Sequence, residues 1–217
     1  MNFPLPLPPD ELAHCRRTAA LSKLLAEFAG YSEEAVRTIT QSALVHDIGK
    51  AAIPEAILHK PGPLSSSDYA IIRTHTTIGA QMLVHARTIM NTAAIVALQH
   101  HERLDGSGYF GLRGAEIHPH ARLVAVADVF DALVTSRPYK KPWPLSHVRT
   151  YLKERSGKQF DAEIAALLLT NMDRAMVFYS NEEAYIGSNT HFSHLYAQRE
   201  RGKQKCCCKK NSISSIG

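Results

Sequence analysis

The stretch RLVAVADVFDALV, Arg122 to Val134, constrains the fold more than any other part of the chain. It is apolar around nearly the whole circumference of a helix, so it reads as a buried helix. Yet it carries Asp128 and Asp131, three residues apart and therefore on one face. Apolar residues on both sides argue against helix caps. A carboxylate is rarely buried without a partner, and desolvating one is costly unless something cationic compensates. Asp128 is thus a candidate metal ligand, and Asp131 a candidate for orienting a ligand histidine.

ALVHDIGK, residues 43 to 50, repeats the problem with His46 and Asp47 at the inner end of an apolar helix. Gly49 is expected to let the chain turn there. QHHERLDGSGYFGL, residues 99 to 112, sets His100 beside His101 and follows them with a glycine-punctuated loop. His14 lies on the first helix, with Asp10 four residues earlier, and His75 lies within IIRTHTTIG. His14, His46, Asp47, His75, His100, His101 and Asp128 together make five imidazoles and two carboxylates. One metal uses roughly four to six ligands, so this set suits two metals bridged by a carboxylate, with Asp47 the natural bridge. Asp10 is either a ligand for a third metal or an acid favoured by the helix dipole. Nitrogen and oxygen donors without thiolates favour iron or manganese over structural zinc. Such a pair lowers the pKa of a bridging water and yields a hydroxide nucleophile at neutral pH.

Lys50 can project toward the same centre, and TSRPYKK supplies Arg137 and Lys140. Cations beside metals fit an anionic substrate and a developing negative charge. Solvated surface charge is the plainer reading of each. Phosphodiester hydrolysis fits best, with Asp47, Lys50 and Asp131 as the catalytic candidates and Lys50, Arg137 and Lys140 as phosphate contacts.

The remaining pattern is helical, over about 10–29, 33–46, 66–85, 89–101, 119–134, 145–156 and 161–172. Strand alternation is lacking, and the fold class is an all-α bundle. Of the net charge of +5, residues 199 to 210 (RERGKQKCCCKK) contribute all, through six basic residues against one acid. A neutral body argues against a nucleic-acid surface, and residues from about 199 onward are expected to be disordered. Cysteines 15, 206, 207 and 208 form no spaced disulfide framework. The triple is alternatively a lipidation or metal site near basic residues. No signal peptide and no apolar run long enough to span a membrane are present, so a cytoplasmic location is expected.

HCRRTA (14–19), HDIGK (46–50), IPEAILHKPGPL (53–64), HTTIGAQML (75–83), HHERLDGSGYF (100–110), DVFDAL (128–133) and RPYK (137–140), in this order, resemble the HD-GYP family of the HD-domain metal-dependent phosphohydrolases. The resemblance implies an HD-domain helical bundle with a two- or three-metal centre in its core, usually iron or manganese. It implies hydrolysis of cyclic dinucleotides, chiefly cyclic di-GMP to pGpG and in many members GMP. It assigns the seven His and Asp residues above to ligand positions, and Lys50, Arg137 and Lys140 to substrate contacts. Asp10 stands where three-metal members carry glutamate. The family's Gly-Tyr-Pro is Gly108-Tyr109-Phe110 here. Loss of proline frees φ and restores a backbone N–H. The loop is then more mobile, or Phe110 stacks on a guanine, and Tyr109 and Phe110 are both substrate-contact candidates. Glu102 is expected either to orient a ligand or water, or to form a surface salt bridge.

The expected organisation is a catalytic domain over 10–172, a partly packed extension over 173–198 and a tail over 199–217. Nine residues precede Asp10, too few for the sensory or receiver domain that members usually carry. The chain is therefore expected to work alone or through a signalling partner such as a diguanylate cyclase. The other readings are a phosphodiesterase for cyclic GMP-AMP or another nucleotide, and a non-catalytic partner-binding module.

Overall fold

The computed structural model describes residues 7–84, 90–136 and 141–180. The chain divides into two compact units, Met1–Ala175 and Met176–Gly217; of the second, only 176–180 are described. Among the described residues the structure is helical, apart from isolated bridges between Asp105 and Arg113 and between Ser156 and Phe160.

Helix α1 (Pro9–Phe28) starts on a proline at its first position, where the missing N–H costs no helical bond. Its end is set by Gly30 at φ 73, with Gly30 N–H on the Glu27 carbonyl and Tyr31 N–H on the Ala26 carbonyl. Those are the two bonds of a Schellman cap, and they need the left-handed backbone that glycine adopts cheaply. Helix α2 (Glu33–Leu44) is capped by Ser32, whose hydroxyl accepts from Ala35 N–H. The short α3 (Glu55–Leu58) leads to α4 (Ser66–Val84), which pairs with α5 (Met90–Gln99). Helix α6 (Pro119–Val134) is the apolar helix anticipated from sequence, and Ala121, Leu123, Val124, Val126, Ala127 and Phe130 are wholly buried on it. It packs against α1 and α5, while α1 and α5 also flank α2. Helices α7 (Leu145–Arg155) and α8 (Ala162–Thr170) close the bundle through Val148, Leu152, Ala165 and Leu168. A further helix, α9 (Met172–Ser180), was not expected beyond residue 172. Phe178 has no described side chain, and Tyr185, Phe192, Tyr196 and the Cys-rich tail lie outside the described residues.

Two expectations near the site need correcting. Helix α2 ends at Leu44 rather than at His46, because His46 turns its Nδ1 back onto the Ala43 carbonyl at 2.6 Å and satisfies a C-terminal orphan. Gly49 is not a turn glycine. It lies inside a 3₁₀ segment, Ile48–Ala52, that runs directly over α4. A Cβ at Gly49 would come 1.9 Å from the His75 carbonyl oxygen and 2.6 Å from Gly79 N. Both atoms are backbone and cannot swing aside. Gly49 therefore lets two backbones touch, which brings Asp47 within reach of His75.

Gly49→Ala should force the 3₁₀ segment off α4. Overpacking typically costs about 1–3 kcal/mol, so the melting temperature should fall by several degrees. Calorimetry checks this, with metal content expected to fall in parallel.

Candidate metal centre

The backbone that presents the site comes from widely separated segments. His14 projects from the second turn of α1, His46 and Asp47 from the turn after α2, and His75 from mid-α4. His100 and His101 follow α5, and Asp128 lies on α6. Asp47, His75, His100 and His101 form one group of candidate ligand atoms and His14, His46 and Asp128 another, with atoms inside each group within 4.8 Å of one another. All seven expected ligands are thus brought together. His14, His46, Asp47, His75, His100 and Asp128 are buried, and only His101 is partly open, its side chain 29% exposed.

The two carboxylates face both groups. Asp47 Oδ1 lies 3.1 Å from His75 Nε2 and 3.5 Å from His100 Nε2, while Oδ2 lies 3.3 Å from His46 Nε2 and 3.6 Å from His14 Nε2. Asp128 Oδ1 is 3.0 Å from His14 Nε2, and its Oδ2 is 3.9 Å from His101 Nδ1.

The hydrogen-bond roles show what this cluster lacks. His46, His75 and His100 each point Nδ1 at a backbone carbonyl, of Ala43, Ile72 and Ala97, at 2.6, 2.6 and 2.9 Å. A carbonyl only accepts, so each Nδ1 donates its proton there and the ring directs Nε2 inward. His75 Nε2 and His100 Nε2 consequently face each other at 3.4 Å. His46 Nε2 and Asp47 Oδ1 are buried without a hydrogen-bond partner, although imidazole nitrogens surround that oxygen. A divalent cation would satisfy these unpaired atoms, and Nδ1 bonded to a carbonyl is the arrangement that leaves Nε2 to a metal.

The electrostatics divide the imidazoles: burial opposes charge on His46, but Asp47 outweighs it and raises the pKa well above the ordinary histidine value. Burial, followed by the neighbouring imidazoles, pushes His101 well below the ordinary histidine value, and burial lowers His100, which favours the neutral ligand form of both. Burial opposes charge on Asp47, but Lys50 and His46 outweigh it and hold the carboxyl well below the usual range. Asp128 is held down in the same way, by His14 against burial. His14 differs: burial works against its charge, yet Asp128 and Asp131 raise it to about 9.

Asp131 is wholly buried on the far side of His14. Its Oδ2 accepts from His14 Nδ1 at 2.6 Å, and its Oδ1 accepts from Arg17 Nε at 2.7 Å. It acts on the imidazole from behind and does not face the cluster. Lys50 Nζ does reach the centre, 2.7 Å from Asp47 Oδ2, and is shared with Glu11 Oε2 at 2.8 Å. Asp10 is exposed in the first turn of α1 and belongs to neither ligand group. Arg137 and Lys140 lie outside the described residues.

Tyr109 stacks toward the open edge, its ring centroid 4.7 Å from that of His101 and 6.4 Å from that of His75. Burial, then Tyr69, keeps its phenol protonated by raising the pKa. Phe110 is 50% exposed. Its restored N–H is donated to Glu102. Glu102 is buried rather than at the surface, and among the described residues its two oxygens accept from the loop amides of Phe110 and Leu112.

Sequence reasoning missed Glu11, Arg17 and Arg73. Glu11 and Arg17 lie three residues on either side of His14, on its helical face, and that spacing was the available signal. Arg73 had none, because its partner Tyr109 is 36 residues away.

The HD domain family model matches residues 8–164. The chain is 43% identical over 159 residues to a cyclic di-GMP phosphodiesterase response regulator of Xanthomonas campestris, covering 72% of this chain and 42% of that one. It is 40% identical over 163 residues to 3'3'-cGAMP-specific phosphodiesterase 2 of Vibrio cholerae, covering 74% and 31%. The chain thus spans less than half the length of these relatives. An HDG"Y"P protein from Bdellovibrio bacteriovorus shares its fold with a TM-score of 0.61 at 25% identity, over 74% of this chain and 51% of that one. The chain belongs to the HD domain family, and its ordered motifs and these relatives put it in the HD-GYP branch.

Proposed function

We propose that this chain is a metal-dependent phosphodiesterase that hydrolyses cyclic di-GMP to pGpG. The observation that carries the proposal is Asp47, whose two oxygens face two separate groups of inward-pointing imidazole nitrogens. The names of the relatives supply the substrate class. We assign His14, His46, Asp47, His75, His100, His101 and Asp128 as the residues that would hold divalent cations, Asp47 facing both groups of imidazoles. The absence of thiolates from the set favours iron or manganese. Such cations would supply Lewis acidity toward a phosphodiester oxygen and make water a competent nucleophile at neutral pH.

The protein's own groups do the rest. His46, His75 and His100 are locked by carbonyls in the ligand tautomer, and Asp131 with Arg17 locks His14. Lys50 brings a positive charge to the edge of the cluster, suited to an anionic phosphate. Burial works against its charge, but its carboxylate partners Asp47 and Glu11 raise its pKa and keep it cationic. The phenol of Tyr109 stays a donor. We assign Arg137 and Lys140 to the substrate phosphates through the RPYK motif. A second reading, hydrolysis of 3'3'-cGAMP, is favoured by the Vibrio cholerae relative.

The deciding assay offers cyclic di-GMP, 3'3'-cGAMP and pGpG to protein purified anaerobically with Fe(II) or Mn(II). Metal-dependent release of pGpG from cyclic di-GMP is expected, and no metal-dependent turnover of any of them would sink both enzyme readings. Asp47→Ala should abolish turnover and reduce bound metal, as read by elemental analysis. Asp131→Asn should fold but bind metal or turn over roughly 10–100-fold less well, as loss of an orienting partner does; a titration with Mn(II) measures it.

A further inference from the structure

The Tyr109–Phe110 segment is gripped from two sides by charged residues that are not among the candidate ligands. Glu102 is 4% exposed, and it follows His101 directly. Its Oε1 accepts from Phe110 N–H at 2.7 Å and its Oε2 from Leu112 N–H at 2.9 Å. Gly108 lies flat on it: a Cβ there would come 2.6 Å from Glu102 Cα and 2.8 Å from Arg103 N. From the other side, α4 contributes Arg73. Its guanidinium donates to the Tyr109 carbonyl and lies over the Tyr109 ring, 4.9 Å from the centroid. Tyr69, one turn earlier on α4, sets its ring edge against Tyr109 at 6.1 Å. Tyr109 is thereby fixed over His101, the one candidate ligand that is partly open and so on the side where a substrate would arrive.

We propose that Glu102 and Arg73 are positioning residues that hold the Tyr109–Phe110 segment against the open edge of the metal centre. The Phe110 amide is part of that clamp. It is a contact that a proline at this position could not make, because proline has no N–H. The amide is tied down while the ring stays half-exposed, so the backbone of Phe110 fixes the loop and its side chain is free to meet a ligand. Charge-assisted bonds to a carboxylate are about twice as strong as neutral ones, and two of them on one buried side chain suit a loop otherwise loosened by glycines. The kinetic consequence rests on the phosphodiesterase reading; the structural one does not.

Residue-resolved hydrogen exchange on the full Mn(II)-loaded chain tests the clamp directly. In the wild type the Phe110 and Leu112 amides should be protected. Glu102→Ala should speed both at least about tenfold. Glu102→Gln, with a single carbonyl oxygen, should release one amide and keep the other. Phe110→Pro should raise KM for cyclic di-GMP about tenfold while kcat changes less than about threefold. Glu102→Ala should cost less in the Phe110→Pro background than alone, since the two share a bond. Arg73→Lys, which keeps charge but not the planar fork, should also raise KM more than kcat. Should Glu102→Ala not fold, Glu102→Gln and Arg73→Lys decide by the same readouts. Wild-type protection of both amides in Glu102→Gln, or a loss confined to kcat in the Arg73 and Phe110 variants, would overturn the proposal. A wild type inert on every cyclic dinucleotide would refute the function and leave the exchange result to judge the clamp alone.

Discussion

Everything in this bundle is arranged around one electrostatic conflict. Asp47 is buried among imidazoles whose Nδ1 atoms, on His46, His75 and His100, are turned away onto the carbonyls of Ala43, Ile72 and Ala97, and its Oδ1 is left without a hydrogen-bond partner. A buried acceptor left unpaired is destabilising in a low-dielectric interior. The bundle tolerates the conflict because its apolar helices, α6 above all, stabilise the fold elsewhere. A divalent cation would turn the same atoms into a coordination shell, and its binding would then be coupled to folding.

The supporting parts follow from holding that shell rigid. Gly49 and Gly79 let the 3₁₀ segment and α4 meet backbone to backbone, which fixes the separation of Asp47 and His75. Arg17 and Asp131 fix His14 from behind, and the Schellman cap at Gly30 ends α1 so that Ser32 can start α2. Lys50 is held between Asp47 and Glu11, ready at the edge of the site. Ligand placement thus depends on residues that never touch a cation. The loop bearing Tyr109 follows the same logic, with Glu102 and Arg73 in the supporting role.

Much of this was legible in the sequence for a definite reason. A buried acid or imidazole beside apolar helix has few physical explanations, and seven candidate ligands in one chain narrow them further. The helical periods located α1, α4 and α6 almost to the residue, and capping rules found Ser32 and Gly30. Where reading failed, the cause was tertiary. The period of α2 does not reveal that His46 would fold its ring back onto Ala43, nor does the residue type of Gly49 distinguish a turn from a close backbone approach. Asp10 was singled out four residues before His14 and Glu11 was not, yet it is Glu11 that meets Lys50, 39 residues away.

The sequence by itself determined that the chain is helical, that its core holds an excess of ligating side chains, and that those side chains could hold a cation. Residue chemistry and local periodicity are enough for that, because burial of charge is penalised wherever it occurs. Only the tertiary structure decided which oxygen of Asp47 faces which imidazoles, that Asp131 works from behind His14, and that the amide at Phe110 is donated to Glu102. Those are relations between segments distant in the chain. They are set by helix packing and by which polar atoms remain unpaired once the apolar faces are joined.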